Sequence, residues 1–332
     1  MKQEVKVSVI MLAYNIEKYI ETAIRGVVGQ QTSYAFELII AEDHSSDGTL
    51  AICRRYAQRY PTVVRLIEHR ENYGLQRNFM DAHRHCRGEY IAICDGDDYW
   101  TDAYKLQKMT NFMDTHPDFS TCFHRVINYY EQDGTKSLSN GGQAAVNELL
   151  DLCRANFITN SSSLFRRAYY PELPAWFAEI TSCDYAMHLL NAGHGKIYYF
   201  KKPMGVYRKH SEGIWSIASE EKRFFAALKA REQVLAYYRN RPEVYAALVE
   251  NYTLIAFNLL RHYRRTGQET EAAAMRKQLL TYRSEWTEAD IIARVEALEH
   301  SPKRRLRDGL RKVLSWGRAQ VSKCFPLPQV RF

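Results

Sequence analysis

Three carboxylates, Asp95, Asp97 and Asp98, fall within four positions of the stretch ICDGDDYW. Like charges this close repel, and at least one would take a raised pKa unless a cation neutralised them. Asp95 and Asp97 stand two positions apart at the end of an apolar run, Tyr90 to Cys94. In extended backbone they point to one face, roughly 7 Å apart along the chain, and a turn at Gly96 brings them closer. Mg2+ or Mn2+ prefers oxygen ligands and fills the rest of its shell with phosphate oxygens and water, so the fitting partner is a phosphorylated substrate, with a nucleotide one candidate. The competing reading is a solvated acidic turn in which Asp98 or Thr101 caps the next helix.

Other residues offer matching chemistry. Asp43 follows an apolar strand-like run. A carboxylate there can accept a hydrogen bond from a ring N–H such as the imide of uracil or thymine, or it can bond locally to Ser45 or Ser46. Tyr14 is placed either to lie on a base or to pack over the first helix. Arg77 is placed either to reach a base or diphosphate or to stay on a solvated helix face.

These residues need elements to hold them. VKVSVIMLA, FELIIAED, VVRLIEH and EYIAIC read as strands. Between them, Ile16 to Gln30, Gly48 to Tyr60 and Gly74 to Cys86 show helical spacing, with Asn15 and Asp47 as expected caps. Such alternation predicts parallel pairing with right-handed crossovers, and ligands bind beyond the carboxyl ends of the strands. Tyr14-Asn15, Glu42-Asp43 and Asp95 to Asp98 all fall at those ends. Further along, KLQKMTNFMDTHP reads as a helix, FSTCFHRVINYY as a strand, 131–146 as a surface loop and NELLDLCRA as a short helix. ITNSSSLFRR and KIYYF read as strands on either side of a helix, YAMHLLNAG, opened by Asp184. From about 217 to 300 the pattern is helical throughout. The expected fold class is α/β, a mostly parallel sheet flanked by helices with a C-terminal helical appendage. The expected domains are 1–216, 217–300 and a basic tail, 301–332.

Taken together, VSVIMLAYN, ELIIAEDHSSDGT, ENYGLQRNFMDAHRHCRGEYIAICDGDD and CDYAMHLLNAGHGKIYYFKKPMGVYRKHSEGIWS resemble the family 2 glycosyltransferases, which have the GT-A fold. The resemblance covers about residues 5–216. It implies an inverting, metal-dependent transfer of sugar from a nucleoside-diphosphate sugar, a UDP-sugar foremost, to a hydroxyl of a glycan or lipid-linked acceptor in cell-surface polysaccharide synthesis. It implies that Asp43 binds the base, that Tyr14 and Arg77 line that site, and that Asp95 touches ribose or the metal's waters. Asp97 would ligate Mg2+ or Mn2+, His210 would assist the metal or diphosphate, and Asp184 would be the general base. The chain departs from the family pattern at Leu12, where Pro is frequent, and at Cys183, where Glu often precedes the base. A physical argument supports the last role. A sugar hydroxyl is a poor nucleophile and needs a proton acceptor as it attacks the anomeric carbon. Asp184 also suits a helix N-cap, a role it can fill simultaneously. His210 otherwise reads as a surface histidine in a basic loop.

Charge and cysteine content bound the remainder. The net charge is +8, and residues 301–332 carry nine Lys or Arg against Asp308, leaving residues 1–300 balanced. Leu306, Leu310, Val313, Leu314 and Val321 recur at helical spacing among those bases. The tail suits an amphipathic helix on an anionic membrane surface, against a helix docked on the body or a solvated tail. A nucleic-acid partner is not expected, because no binding fold accompanies the tail. Seven cysteines without a CxxC pair argue for reduced thiols rather than a disulfide framework. With no secretory h-region and no membrane-spanning run, the expected location is the cytoplasm, with peripheral attachment to the inner face of the plasma membrane. A sugar-phosphate nucleotidyltransferase would want a Gly-rich loop after the first strand, where this chain has AYNIEKY. A dinucleotide oxidoreductase would want GxGxxG. A non-catalytic binding protein on the same fold is the reading from a different class, and the coexistence of Asp97 and Asp184 argues against it.

Overall fold

β-Branched and apolar residues at the start of the chain form a central strand, β1 (Val5–Ala13), whose Val7, Val9, Ile10 and Met11 are fully buried. The structure, a computed structural model, describes residues 4–180 and 183–300. β1 pairs in parallel with β2 (Ala35–Glu42) on one side and β4 (Tyr90–Ile93) on the other, and β2 carries β3 (Val64–Glu68) at the edge. All four residues of β4 are buried, as a strand covered on both faces requires. The crossovers are α1 (Glu17–Val28), α2 (Thr49–Arg59) and α3 (Leu75–Arg84). On α1, Tyr19, Ile20, Ala23, Ile24 and Val27 form one buried face.

The sheet then changes character. After the short β5 (Tyr99–Trp100) and α4 (Lys105–Thr115) come β6 (Phe119–Tyr130), β7 (Thr135–Leu138), β8 (Val146–Asn147), α5 (Leu149–Arg154) and β9 (Leu164–Arg166). Helix α6 (Cys183–Ala192) and the long β10 (Lys196–Lys209) follow. The strand order is β3-β2-β1-β4-β9-β6-β10-β5, with β7 on β6 and β8 on β10. β9 is antiparallel to both β4 and β6, while β6 and β10 are parallel. The α/β class and mostly parallel sheet are those expected from the sequence.

Several local expectations are corrected. Residues 131–146 are not a plain loop: β7 folds back on β6 through a turn at Gly134, whose φ of 69° suits glycine. ITNSSSLFRR is mostly not a strand, because Asn160–Ser162 form a 3-10 turn before β9. The last sheet strand extends well past KIYYF, to Lys209. Asn15 does not cap α1; it sits at φ 49° and its side chain accepts from the Ser46 N–H instead. The N–H of Glu17 is taken by Asp47, which also accepts from Thr49 N, so one carboxylate serves the starts of both α1 and α2.

Two compact units divide the chain, the first ending at Ile255 and the second beginning at Ala256. The first therefore runs past residue 216, where the helical pattern begins, because α8 (Glu220–Tyr237), which follows the short α7 (Ile214–Ile217), packs on α6. Tyr238, just after α8, reaches the Leu189 carbonyl at 2.9 Å. Helix α9 (Pro242–Thr266) follows, and α10 (Glu269–Leu280) and α11 (Glu288–His300) lie in the second unit, where Arg276 pairs with Glu269 and Glu288. None of the described helices is long and apolar enough to cross a membrane. The basic tail, 301–332, lies outside the described residues. Cys53, Cys86, Cys94, Cys122 and Cys153 are buried free thiols and Cys183 a half-buried one.

Candidate active site

The polar strand ends meet along one edge of the sheet. At the end of β2, Glu42 accepts from the backbone N–H groups of His44 and Ser45, the local turn role that was one reading of Asp43. Asp43 does something else. It is 3% exposed, and its two oxygens accept from Tyr73 N at 2.7 Å and Gly74 N at 2.9 Å. Each carboxylate oxygen retains a second lone pair for a ligand N–H. Tyr14 is half exposed, Tyr73 is exposed and stacks on His69, and Arg77 is exposed on the first turn of α3. His44, like Asn15, has a positive φ, here 61°, a conformation non-glycine residues hold only when their surroundings impose it.

The carboxylate cluster follows β4. Gly96 is required there: a Cβ would meet Ile16 Cδ1 at 2.4 Å and the Leu12 carbonyl at 2.6 Å. Asp98 caps no helix, since α4 begins at Lys105 and Asp102 takes the Tyr104 N–H. Instead Asp98 is 1% exposed and accepts the Arg208 N–H at 2.8 Å. Asp97 is partly exposed, and its Oδ2 lies 3.1 Å from His210 Nε2. Asp95 is contacted through both oxygens by Asn160 Nδ2, at 3.0 and 3.2 Å. His210 is therefore not a surface histidine. It is 6% exposed, its ring rests 4.5 Å from that of Tyr19, and its Nδ1 is buried without a partner.

Asp184 joins this group from the first turn of α6. Burial, then the charges of Asp97 and Asp184, push the Asp95 carboxyl up to about 7. Asp98 is raised well above the carboxylate range by burial and by Asp97 and Asp95. The Tyr207 phenol is raised by burial and then by the charges of Asp98, Asp95, Asp97 and Asp184. Such an array calls for positive charge. Part of it stands behind the loop. Lys105 is fully buried, its Nζ 3.0 Å from the Ser161 carbonyl and 3.5 Å from the centre of the Trp100 ring, and burial brings it down to about 7. The Trp100 indole donates to the same Ser161 carbonyl at 2.9 Å.

No group of three or more His, Cys, Asp or Glu among the described residues is arranged to enclose a metal ion. That suits a cation held by one or two protein ligands with diphosphate and water completing the shell. Asp97 and His210, whose Nε2 lies 3.1 Å from the Asp97 Oδ2, are the residues present that fit such a cation.

The geometry can be set beside known proteins. Residues 8–173 match the family described as glycosyl transferase family 2. The chain belongs to glycosyl transferase family 2. Within that setting it is 40% identical over 224 residues to an uncharacterized protein of Mycobacterium tuberculosis, covering 66% of this chain and 63% of that one. The chain thus spans less than two thirds of that relative's length. It is 35% identical over 107 residues to the putative teichuronic acid biosynthesis glycosyltransferase TuaG of Bacillus subtilis, covering 32% of this chain and 41% of TuaG. Among solved structures, S. aureus TarS in complex with UDP-GlcNAc matches with a TM-score of 0.57 at 18% identity, covering 85% of this chain and 92% of that chain. The mannosyltransferase PcManGT of Pyrobaculum calidifontis, in complex with GDP-Man and Mn2+, gives 0.54 at 18% identity over 91% of this chain and 82% of that one. These likenesses establish the GT-A fold for this family 2 member.

Of the residues singled out in the sequence, Asp95, Asp97, Asp184 and His210 come together in one cluster, while Tyr14, Asp43 and Arg77 lie at the ends of β1 and β2 and the start of α3; Lys105, Asn160 and Ser161, which the sequence did not single out, join the cluster. For Asn160 and Ser161 a signal existed: TNSSS is a polar cluster of the kind that marks a turn rather than a strand.

Proposed function

We propose that this protein transfers a glycosyl group from a nucleoside-diphosphate sugar to a hydroxyl acceptor with inversion, in the building of a cell-surface polysaccharide. The observation that carries the reading is the convergence of Asp97, His210, Asp95 and Asp184 beyond the sheet edge that also holds Asp43. Asp43, with Tyr14, Tyr73 and Arg77 around it, takes the base of the donor, and a UDP-sugar is the favoured donor because the Asp43 oxygens suit an imide N–H. Asp95 takes the ribose. Asp184 accepts the proton of the attacking hydroxyl. Asp97 and His210 would hold Mg2+ or Mn2+, which when bound would supply positive charge to offset that of the diphosphate leaving group. One base on one face of the anomeric carbon and a stabilised leaving group on the other suffice for a single in-line displacement. TuaG is named for teichuronic acid biosynthesis, and TarS and PcManGT are described with nucleotide-sugar donors, one of them with Mn2+, which supports the substrate class. The turn after β1, Tyr14-Asn15-Ile16, lacks the glycines a nucleotidyltransferase would use to cradle phosphate.

The test is a thermal-shift screen of UDP, dTDP, GDP and their sugars with Mg2+ or Mn2+, followed by donor hydrolysis. Selective stabilisation by one nucleotide with metal is expected, together with release of nucleoside diphosphate that Asp97→Ala abolishes. Equal background release by both proteins, with and without Mn2+, would sink the reading.

A further inference from the structure

The reading above leaves Asp98 without a task, yet it is the most deeply buried of the three clustered acids. We propose that Asp98 is a positioning residue that latches the end of β10 onto the loop after β4, and so holds His210 against Asp97. The pairing of β10 with β6 ends at Lys209 opposite Tyr130, so His210 stands just beyond the last rung of the sheet. Something other than the ladder must fix it. Asp98 Oδ1 accepts the Arg208 N–H at 2.8 Å, two residues before His210. Arg208 returns the contact, its Nε donating to the Asp97 carbonyl at 2.9 Å. The guanidinium then lies 4.8 Å from the Tyr19 ring centre and 5.2 Å from that of Tyr99. Tyr19 is also the ring against which His210 rests, at 4.5 Å. Backbone and side chain of Asp97-Asp98 thus grip Arg208 from both sides, and His210 follows at a fixed distance. Asp98 Oδ1 is committed to a backbone amide and Oδ2 is buried, so the contact that the residue makes is with the backbone of β10.

The inference rests on the functional reading only in taking the Asp97–His210 pair as the cation end of the site. Its test separates the two. Hydrogen–deuterium exchange of the Arg208 amide is measured on the full-length, metal-free protein and on Asp98→Asn and Asp98→Ala, and UDP binding with Mn2+ is titrated for each. Asparagine retains an acceptor oxygen; alanine does not. In Asp98→Asn, the amide should stay protected and UDP–Mn2+ affinity should stay within about threefold of wild type. In Asp98→Ala, amide exchange should quicken and affinity should fall, each roughly tenfold. A ligand role would make Asn as damaging as Ala, and that result overturns the proposal. So does an Arg208 amide that stays protected in Asp98→Ala. Should the alanine variant fail to fold, Asp98→Asn decides alone: loss of UDP–Mn2+ binding as severe as in Asp97→Asn rejects the latch. If wild type binds no UDP with Mn2+, the functional reading fails while the amide measurement still judges the latch.

Discussion

The two halves of the site are built by different means. The Asp43 side belongs to a regular parallel α/β unit, and the residues that bond the Asp43 carboxylate, Tyr73 and Gly74, lie 30 and 31 positions away, one crossover on. The acid cluster instead draws its partners from afar. Asn160 is 65 positions from Asp95, Arg208 is 110 from Asp98, and His210 is 113 from Asp97. One side is local topology repeated; the other is an assembly of a 3-10 turn, an antiparallel strand and the tip of β10. On the proposed function, a site made this way can keep a constant nucleotide end while the end proposed for metal and acceptor is rebuilt by changing distant segments.

That contrast can be broken experimentally. The largest expected effect is on chemistry. Asp184→Asn should lower kcat by about 10^2 to 10^4-fold, the scale of general-base catalysis, with the Kd for UDP and Mn2+ unchanged. Equal loss of binding would move Asp184 to the nucleotide side of the comparison. Next comes pH. On the proposed function, the Asp95 carboxyl, pushed up to about 7 in the free protein, ionises as donor and metal bind beside it. Binding of UDP with Mn2+ should therefore weaken as pH falls through about 7, up to roughly tenfold per unit, and level off above it. Calorimetric titrations in Asp95→Asn should lose that dependence, whereas a profile that persists unchanged would assign it elsewhere. The sign for stability is opposite. A folded pKa raised above the unfolded value makes this group's contribution largest at low pH, and that contribution is lost as pH rises through 7. A smaller effect is expected at Gly96. Alanine there must displace Ile16 or the Leu12 carbonyl, costing about 1–3 kcal/mol, measurable by denaturant melts. A melt identical to wild type would show that the acid loop does not lean on β1. The smallest effect on turnover should come from deleting 301–332, which should move the protein from anionic vesicles to the soluble fraction in co-sedimentation while leaving soluble-donor hydrolysis intact. Vesicle binding that survives the deletion would remove the tail from membrane contact.

The same contrast governs what could be read from sequence. The first four strands announce themselves because apolar runs alternate with helical periodicity, and their carboxyl ends then locate Asp43 and Asp95 to Asp98 without further help. β7 and β8 escaped because TKSL and VN are short, and all of β7 is exposed, leaving no hydrophobic alternation to see. Lys105 reads as an ordinary helix-start cation. Only the fold brings the Ser161 carbonyl and the Trp100 ring around it. Asp98 looked like a cap because capping is the commonest local use of an aspartate before a helix, whereas its actual partner is a strand 110 positions on.

One irregularity in β10 has a bearing on sequence drift. Opposite β6, the register runs Phe200 to His124, Pro203 to Arg125 and Gly205 to Val126, so β10 spends three extra residues there. Those residues set how far the strand reaches. Losing one of them, Lys201 for instance, would retract everything beyond by about 3.3 Å and turn each side chain to the opposite face. His210 would leave Asp97 and Arg208 would leave Asp98. By contrast, the hairpin tip from Gln132 to Gly134 is exposed and lies beyond the last rung between β6 and β10, so length changes there leave this register alone. Chains descended from this one should accumulate insertions and deletions at the tip and almost none between Phe200 and Gly205.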